Sequence, residues 1–105
     1  MWWRSVALVL AMAAFGARAE VGDAEKGREL VAEMCARCHA WDPEYPWASI
    51  GSTPSFMWMA RKLDFYRERI LSVTSRPPHI AQRFDVSIED LENILAYIET
   101  LKPAE

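Results

Sequence analysis

Metal-binding side chains are scarce in this chain of 105 residues, which contains only two cysteines and two histidines. A structural zinc site usually takes four ligands from paired Cys-x-x-Cys or His-x-x-x-His motifs. Cys35 and Cys38 form one such pair, and no second pair of either kind accompanies it. The scarcity therefore disfavours a zinc domain. The sequence also lacks a strand candidate, an internal repeat and a low-complexity tract.

Long apolar runs are absent as well. Residues 6–15 form an apolar run of ten residues, well short of the about 20 that a membrane-spanning helix needs. The run follows Arg4 and precedes Ala17-Arg18-Ala19, which fits an A-x-A cleavage pattern. We therefore expect residues 1–19 to be a secretory signal peptide cut after Ala19, with no transmembrane anchor after processing.

Residues 20–105 remain as the mature chain, whose 86 residues are enough for one domain and too few for two. So small a domain buries a limited apolar core and often needs an additional stabilising link. Loss of Arg4 and Arg18 changes the formal net charge from −3 to −5. This acidic balance disfavours general binding to nucleic acid.

The most informative stretch is Cys35-Ala36-Arg37-Cys38-His39. Two thiols three positions apart, followed at once by an imidazole, fit covalent attachment of a c-type haem. At the end of a helix, the two cysteines can reach the two vinyl groups on one edge of the porphyrin. His39 then lies beneath the iron as an axial ligand. Attachment of one haem c would use both cysteines of the chain.

Two other interpretations of this motif are less favourable. A thioredoxin-like redox pair needs a preceding strand within a βαβ unit, whereas the flanks of Cys35 and Cys38 have helical patterns. A plain disulfide across two intervening residues is strained, and it leaves His39 without a role.

The mature chain predicts an all-α fold with four helices. The first begins after Asp23 as N-cap and continues to about Cys38, and a loop follows over residues 40–53. The next two are expected after Thr53-Pro54 and after Asp64. The last begins after Ser87, with Asp90 three positions on as a near-match to a capping box, and ends at Pro103. The helices are expected at about 24–38, 54–62, 65–73 and 88–102.

The order of these features resembles the small class I c-type cytochromes over nearly the whole mature chain. The resemblance is carried by the motif at 35–39 and by three segments, Asp23-Ala24-Glu25-Lys26-Gly27, Thr53-Pro54-Ser55-Phe56 and Ala96-Tyr97-Ile98. It implies a bundle of about four helices around one covalent haem, with Gly27 on the first helix crossing closely against Tyr97 on the last. It also implies that the carbonyl of Pro54 accepts a hydrogen bond from the proximal histidine, His39.

The sequence departs from this family at the second axial ligand of the iron. Members usually carry a methionine in the loop before the last helix, and residues 77–87 contain none. We expect His79, in the same loop, to bind the distal face and make a bis-histidine haem. An open or water-bound iron is the first alternative, and ligation by Met57 or Met59 is the second, although methionines beside Phe56 and Trp58 usually fill gaps in a core.

The resemblance implies a periplasmic monohaem cytochrome that carries single electrons between redox proteins. Beyond the haem motif the sequence shows no acid–base pair or nucleophile, so we expect no enzymatic activity. One alternative is a haem-based sensor or ligand-binding protein with an open or displaceable sixth position. Another is a subunit or accessory of a periplasmic redox enzyme. Six basic residues between Arg61 and Arg83 could steer an acidic partner toward the haem.

Overall fold

The structure is a computed structural model that describes residues 21–76 and 78–103. The expected signal peptide and its cleavage after Ala19 lie outside these residues. In the described ranges every regular element is a helix and there is no strand, which confirms the all-α fold. None of the helices in these ranges is long and apolar enough to cross a membrane.

Helix α4 spans Ile88–Thr100 and forms the centre of the domain. It begins at a capping box, in which Asp90 N donates to Ser87 Oγ at 3.0 Å and Ser87 N donates to Asp90 Oδ2 at 3.1 Å. The predicted start of this helix is therefore confirmed. Its apolar positions from Leu91 to Ile98 recur at helical spacing and are buried in the main core. That core contains Val31, Phe56, Met59, Leu63, Leu91, Ile94, Leu95, Tyr97 and Ile98 among others.

Helix α1 spans Ala24–Leu30 and packs across α4. Asp23 is its N-cap, as expected, because the carboxylate accepts hydrogen bonds from Glu25 N and Lys26 N. The buried Gly27 allows a close approach, since a Cβ built there would meet the backbone of Asn93 at 1.9 Å. The close crossing is thus confirmed, but the nearest atoms belong to Asn93 and Ile94, one turn before Tyr97.

The first helix does not continue as an α-helix to Cys38. Residues Val31–Cys35 form a π-helical segment, in which each turn takes about one residue more, and a turn follows from Ala36. Single π turns inside helices are rare and frequent at functional sites. The last residue of this wider turn is Cys35, the first cysteine of the motif.

Helices α2, Phe56–Arg61, and α3, Leu63–Leu71, follow the long loop. The predicted cap of α2 at Thr53-Pro54 is wrong, because Ser55 is the N-cap and its hydroxyl accepts from Trp58 N at 3.0 Å. The predicted cap of α3 at Asp64 is also wrong. Asp64 lies in the first turn of that helix, and Lys62 occupies the cap position without a side-chain hydrogen bond.

Two short 3₁₀-helices, Val73–Ser75 and Ile80–Arg83, lie between α3 and α4. His79 is the N-cap of the second one, because its Nδ1 accepts a hydrogen bond from Ala81 N at 3.0 Å. Val73 of the first short helix and Ile80 and Ala81 of the second line the cavity described next.

Candidate functional site

A cavity of about 590 Å³ lies between the turn at 35–39, helices α2 and α3, the 3₁₀ segments and α4. Its volume is in the range of about 300–1,000 Å³ that is typical of cofactor and small-molecule sites. The wall is mostly apolar, which suits a large flat ligand that must be kept from water. The apolar lining includes Met34, Phe56, Met59, Ile70, Val73, Ile80, Phe84, Val86, Leu91 and Ile94.

Both cysteines of the motif line this cavity. A tight turn holds them on the same side, since Cys38 N and His39 N both donate to the carbonyl of Cys35, at 3.2 and 2.9 Å. No disulfide joins the two thiols. Burial, together with the neighbouring Cys38, raises the pKa of the Cys35 thiol to about 11. A redox dithiol needs a readily formed thiolate, so this environment disfavours a thioredoxin-like pair.

His39 also lines the cavity, and its ring is fixed from behind. Its Nδ1 lies 2.6 Å from the carbonyl oxygen of Pro54, and it must be the donor because a carbonyl can only accept. The ring packs against Phe56 with 5.2 Å between centroids. The pKa of His39 is lowered, chiefly by burial, which favours the neutral ring. A neutral imidazole whose Nδ1–H is bonded leaves Nε2 with a free lone pair for a metal.

His79 lines the same cavity as His39. The centroids of the His39 and His79 rings are 6.1 Å apart, and their planes differ by 22°. When two imidazoles bind one metal from opposite sides, the distance between their ring centroids is the sum of two metal–nitrogen bonds of about 2 Å and two ring radii of about 1 Å. That sum is about 6 Å. The spacing therefore fits one metal ion shared by the two rings. His79 is exposed, and its hydrogen bond with Ala81 N engages Nδ1 as an acceptor.

The two methionines that were considered as ligands differ in position. Met59 is buried in the core and lines the cavity, whereas Met57 is half-buried and does not line it. Met34, which directly precedes the motif, lines the cavity too and was not anticipated from the sequence. Of the two predicted alternatives, only Met59 is placed where its thioether could face a ligand in the cavity.

Polar contacts that sequence reasoning missed connect the site to α4. Tyr97 donates its hydroxyl hydrogen to the carbonyl of Trp41 at 2.7 Å, which ties the loop after the motif to the last helix. Asn93 is buried, and its Oδ1 accepts from Asp23 N at 2.7 Å. Both bonds join residues far apart in sequence. Local sequence patterns cannot predict hydrogen bonds between residues so far apart in the chain.

A metal site of another kind finds no support in the described ranges. Residues 21–76 and 78–103 contain no group of three or more His, Cys, Asp or Glu side chains that could hold a metal ion. Two imidazoles and two thiols line one mostly apolar cavity without forming such a group, and this set suits a haem.

Comparison with known proteins decides the family. The chain is 34% identical over 100 residues to cytochrome c-552 of Bradyrhizobium diazoefficiens, and the alignment covers 95% of each chain. The protein belongs to the small c-type cytochromes. No family model matches the sequence, and no solved structure matches it either.

Membership in this family assigns the cytochrome one haem c, bound covalently through Cys35 and Cys38. The cavity fits the group, because its wall is mostly apolar and is lined by both thiols and by two imidazoles whose centroids are 6.1 Å apart. When bound, the haem supplies an iron that can gain and lose one electron. Cys35 and Cys38 would hold the group, and the mostly apolar wall would limit its contact with water.

Proposed function

We propose that this cytochrome is a periplasmic single-electron carrier whose haem iron is bound by His39 on one face and by His79 on the other. The observation that carries the proposal is the pair of imidazoles that line one mostly apolar cavity with their centroids 6.1 Å apart. His39 is the proximal ligand, since it follows Cys38 directly and its Nδ1–H is held by Pro54 O. Such a bond orients a ligating ring and raises its basicity.

His79 must change one hydrogen bond to serve as the distal ligand. Its Nδ1 accepts from Ala81 N, so the neutral ring carries its proton on Nε2. Binding through Nε2 requires that proton to move to Nδ1, which ends the bond with Ala81. The loss of one such exposed hydrogen bond costs about 1 kcal/mol. A bond between imidazole and haem iron outweighs a cost of that size.

Electron transfer is the function that this ligand set supports best. Ligation by His39 and His79 would give the iron the same two nitrogen ligands in both oxidation states, so that little would rearrange on electron transfer. Histidine in place of methionine is also expected to lower the reduction potential. Among the described residues, no Asp or Glu lines the cavity, and its thiols and imidazoles are assigned to haem binding. We therefore propose a carrier that exchanges electrons with redox proteins outside the cytoplasm, and no catalytic activity.

The ligand assignment can be tested with the purified holoprotein and its His79→Ala variant. In the oxidised wild type we expect a low-spin ferric signal by electron paramagnetic resonance and no sulfur-to-iron charge-transfer band in the red. The His79→Ala variant should become high-spin and bind carbon monoxide rapidly. Gln82→Ala, an exposed change in the same 3₁₀ segment, is the matched control and should leave the spectra unchanged.

A sulfur-to-iron band in the wild type that persists in His79→Ala would contradict the assignment and point to Met59. Export is tested separately by N-terminal sequencing of the mature protein from its host. A first residue of Glu20 is expected, and a chain that retains Met1 would exclude periplasmic processing at the predicted position.

A ligand-binding or sensor function is the second candidate, because two observations at His79 favour it. The side chain is exposed, and its Nδ1 is engaged as the cap of a 3₁₀-helix. A distal ligand held in this way is displaceable by a small molecule that binds iron. Rapid carbon monoxide binding by the wild type would favour this function over electron transfer.

A further inference from the structure

Two arginines line the haem cavity, and no acidic side chain in the described residues does so. Arg69 on α3 and Arg76 after the 3₁₀-helix Val73–Ser75 contribute to the lining, and both are exposed. They therefore lie at the rim, where the cavity meets solvent. Two positive charges at the rim of a mostly apolar wall favour a ligand that carries negative charge.

Neither guanidinium is paired with a carboxylate in the described part of the chain. The salt bridges there join Arg67 to Glu99 at 3.0 Å and Lys102 to Glu99 at 3.5 Å. Arg76 donates from Nε to Ser72 Oγ at 2.8 Å, which orients the group and leaves its terminal nitrogens free to donate. Arg69 lies over the Phe65 ring, 4.8 Å from its centroid.

We infer that Arg69 and Arg76 bind the two propionate carboxylates of the haem. The inference rests on the proposed function, because it requires the haem to fill this cavity. Arginine suits the role, since its planar fork of donors matches a carboxylate and its charge is permanent. The thioether bonds at Cys35 and Cys38 fix one edge of the porphyrin. The two arginines then hold the propionates on the α3 side.

This arrangement has a consequence for redox chemistry. Each guanidinium offsets the negative charge of a propionate beside the iron, so it stabilises the ferrous form relative to the more positive ferric form. A unit charge within about 10 Å at an effective dielectric constant of about 20 changes the equilibrium constant for reduction by about tenfold. The arginines thus partly offset the lowering of the potential that a bis-histidine iron produces.

The test compares Arg69→Gln and Arg76→Gln with Arg67→Gln, measuring the reduction potential of each holoprotein at low and high ionic strength. Arg67 is the matched control, because it lies on α3 like Arg69, is exposed and does not line the cavity. Each of the first two variants should shift the reduction equilibrium about tenfold toward the ferric form, or about 59 mV. The shift should become smaller at high salt, because both arginines are exposed. Arg67→Gln should change the equilibrium less than twofold.

Equal shifts in all three variants, or no shift in Arg69→Gln and Arg76→Gln, would overturn the inference. These results leave the proposed function standing, whereas a wild-type protein purified without covalent haem would refute that function itself. If a variant does not accumulate, nuclear Overhauser contacts in the diamagnetic ferrous wild type decide the question. Contacts between propionate methylenes and the side chains of Arg69 and Arg76 are expected. Contacts only with Ser52 and Thr53 would overturn the inference.

Discussion

Replacement of Gly27 by alanine should destabilise the domain, although alanine is the better helix former. A Cβ at this position would lie 1.9 Å from the carbonyl oxygen of Asn93 and 2.5 Å from its carbonyl carbon. Both atoms belong to the backbone of α4, so no side-chain rotation can relieve the clash. Helix α1 must instead move away from α4 by more than 1 Å, an estimate from the ordinary van der Waals separation of about 3.4 Å.

The expected magnitude follows from three contributions. Overpacking that shifts the backbone costs about 3 kcal/mol. The same displacement weakens the hydrogen bond from Asp23 N to Asn93 Oδ1, at a cost of about 1 kcal/mol. The higher helix propensity of alanine returns about 1 kcal/mol. The free energy of unfolding of Gly27→Ala should therefore fall by about 3 kcal/mol.

Urea unfolding of the holoprotein, followed by far-ultraviolet circular dichroism, measures this difference. Glu29→Ala on the exposed face of the same helix is the control and should stay within about 0.5 kcal/mol of the wild type. If Gly27→Ala is as stable as the wild type, or gains the about 1 kcal/mol that helix propensity alone allows, the close crossing of α1 and α4 is refuted.

Two further substitutions test the contacts around α4, again by urea unfolding. Tyr97→Phe removes the hydrogen bond to the Trp41 carbonyl and should cost about 1 kcal/mol. Burial raises the pKa of the Tyr97 hydroxyl above its ordinary 10.0. The wild type should therefore lose stability as the pH rises past about 10, and the difference in unfolding free energy between it and Tyr97→Phe should shrink. A difference that stays constant with pH would contradict this. Ser87→Ala removes one half of the capping box and should cost about 1 kcal/mol; an unchanged midpoint would show that the cap contributes nothing.

Local sequence patterns predicted the last helix well, because its determinants are local. Ser87 and Asp90 bond to each other's backbone three residues apart, and the apolar face of α4 recurs every three or four positions. The motif at 35–39 likewise carries its chemistry within five residues. Such features need no knowledge of the rest of the chain.

The errors occurred where distant residues determine local structure. Thr53-Pro54 has the local pattern of a helix start, yet the carbonyl of Pro54 is engaged by His39, and the cap falls to Ser55. The π-helical segment Val31–Cys35 was also missed, because helix propensity does not distinguish a π-helix from an α-helix.

The sequence predicts the haem-binding residues of the candidate site, but it does not predict which arginines line the edge of the cavity. Cys35, Cys38, His39, Pro54 and His79 were all selected from the sequence, and the structure gathers them around one cavity or directly behind it. The basic residues between 61 and 83 looked alike in the sequence. Only the fold separates the two that line the cavity from Arg67, which pairs with Glu99.

The most direct test of the central claim is mass spectrometry of a tryptic digest of the protein from its native host. Trypsin can cut after Arg28, Arg37 and Arg61, which places Cys35 and Cys38 on two different peptides, residues 29–37 and 38–61. We expect these peptides to remain together as one species that absorbs as a haem and whose mass exceeds theirs by one haem, under reducing conditions. Recovery of the two peptides as separate, unmodified thiols would contradict the account.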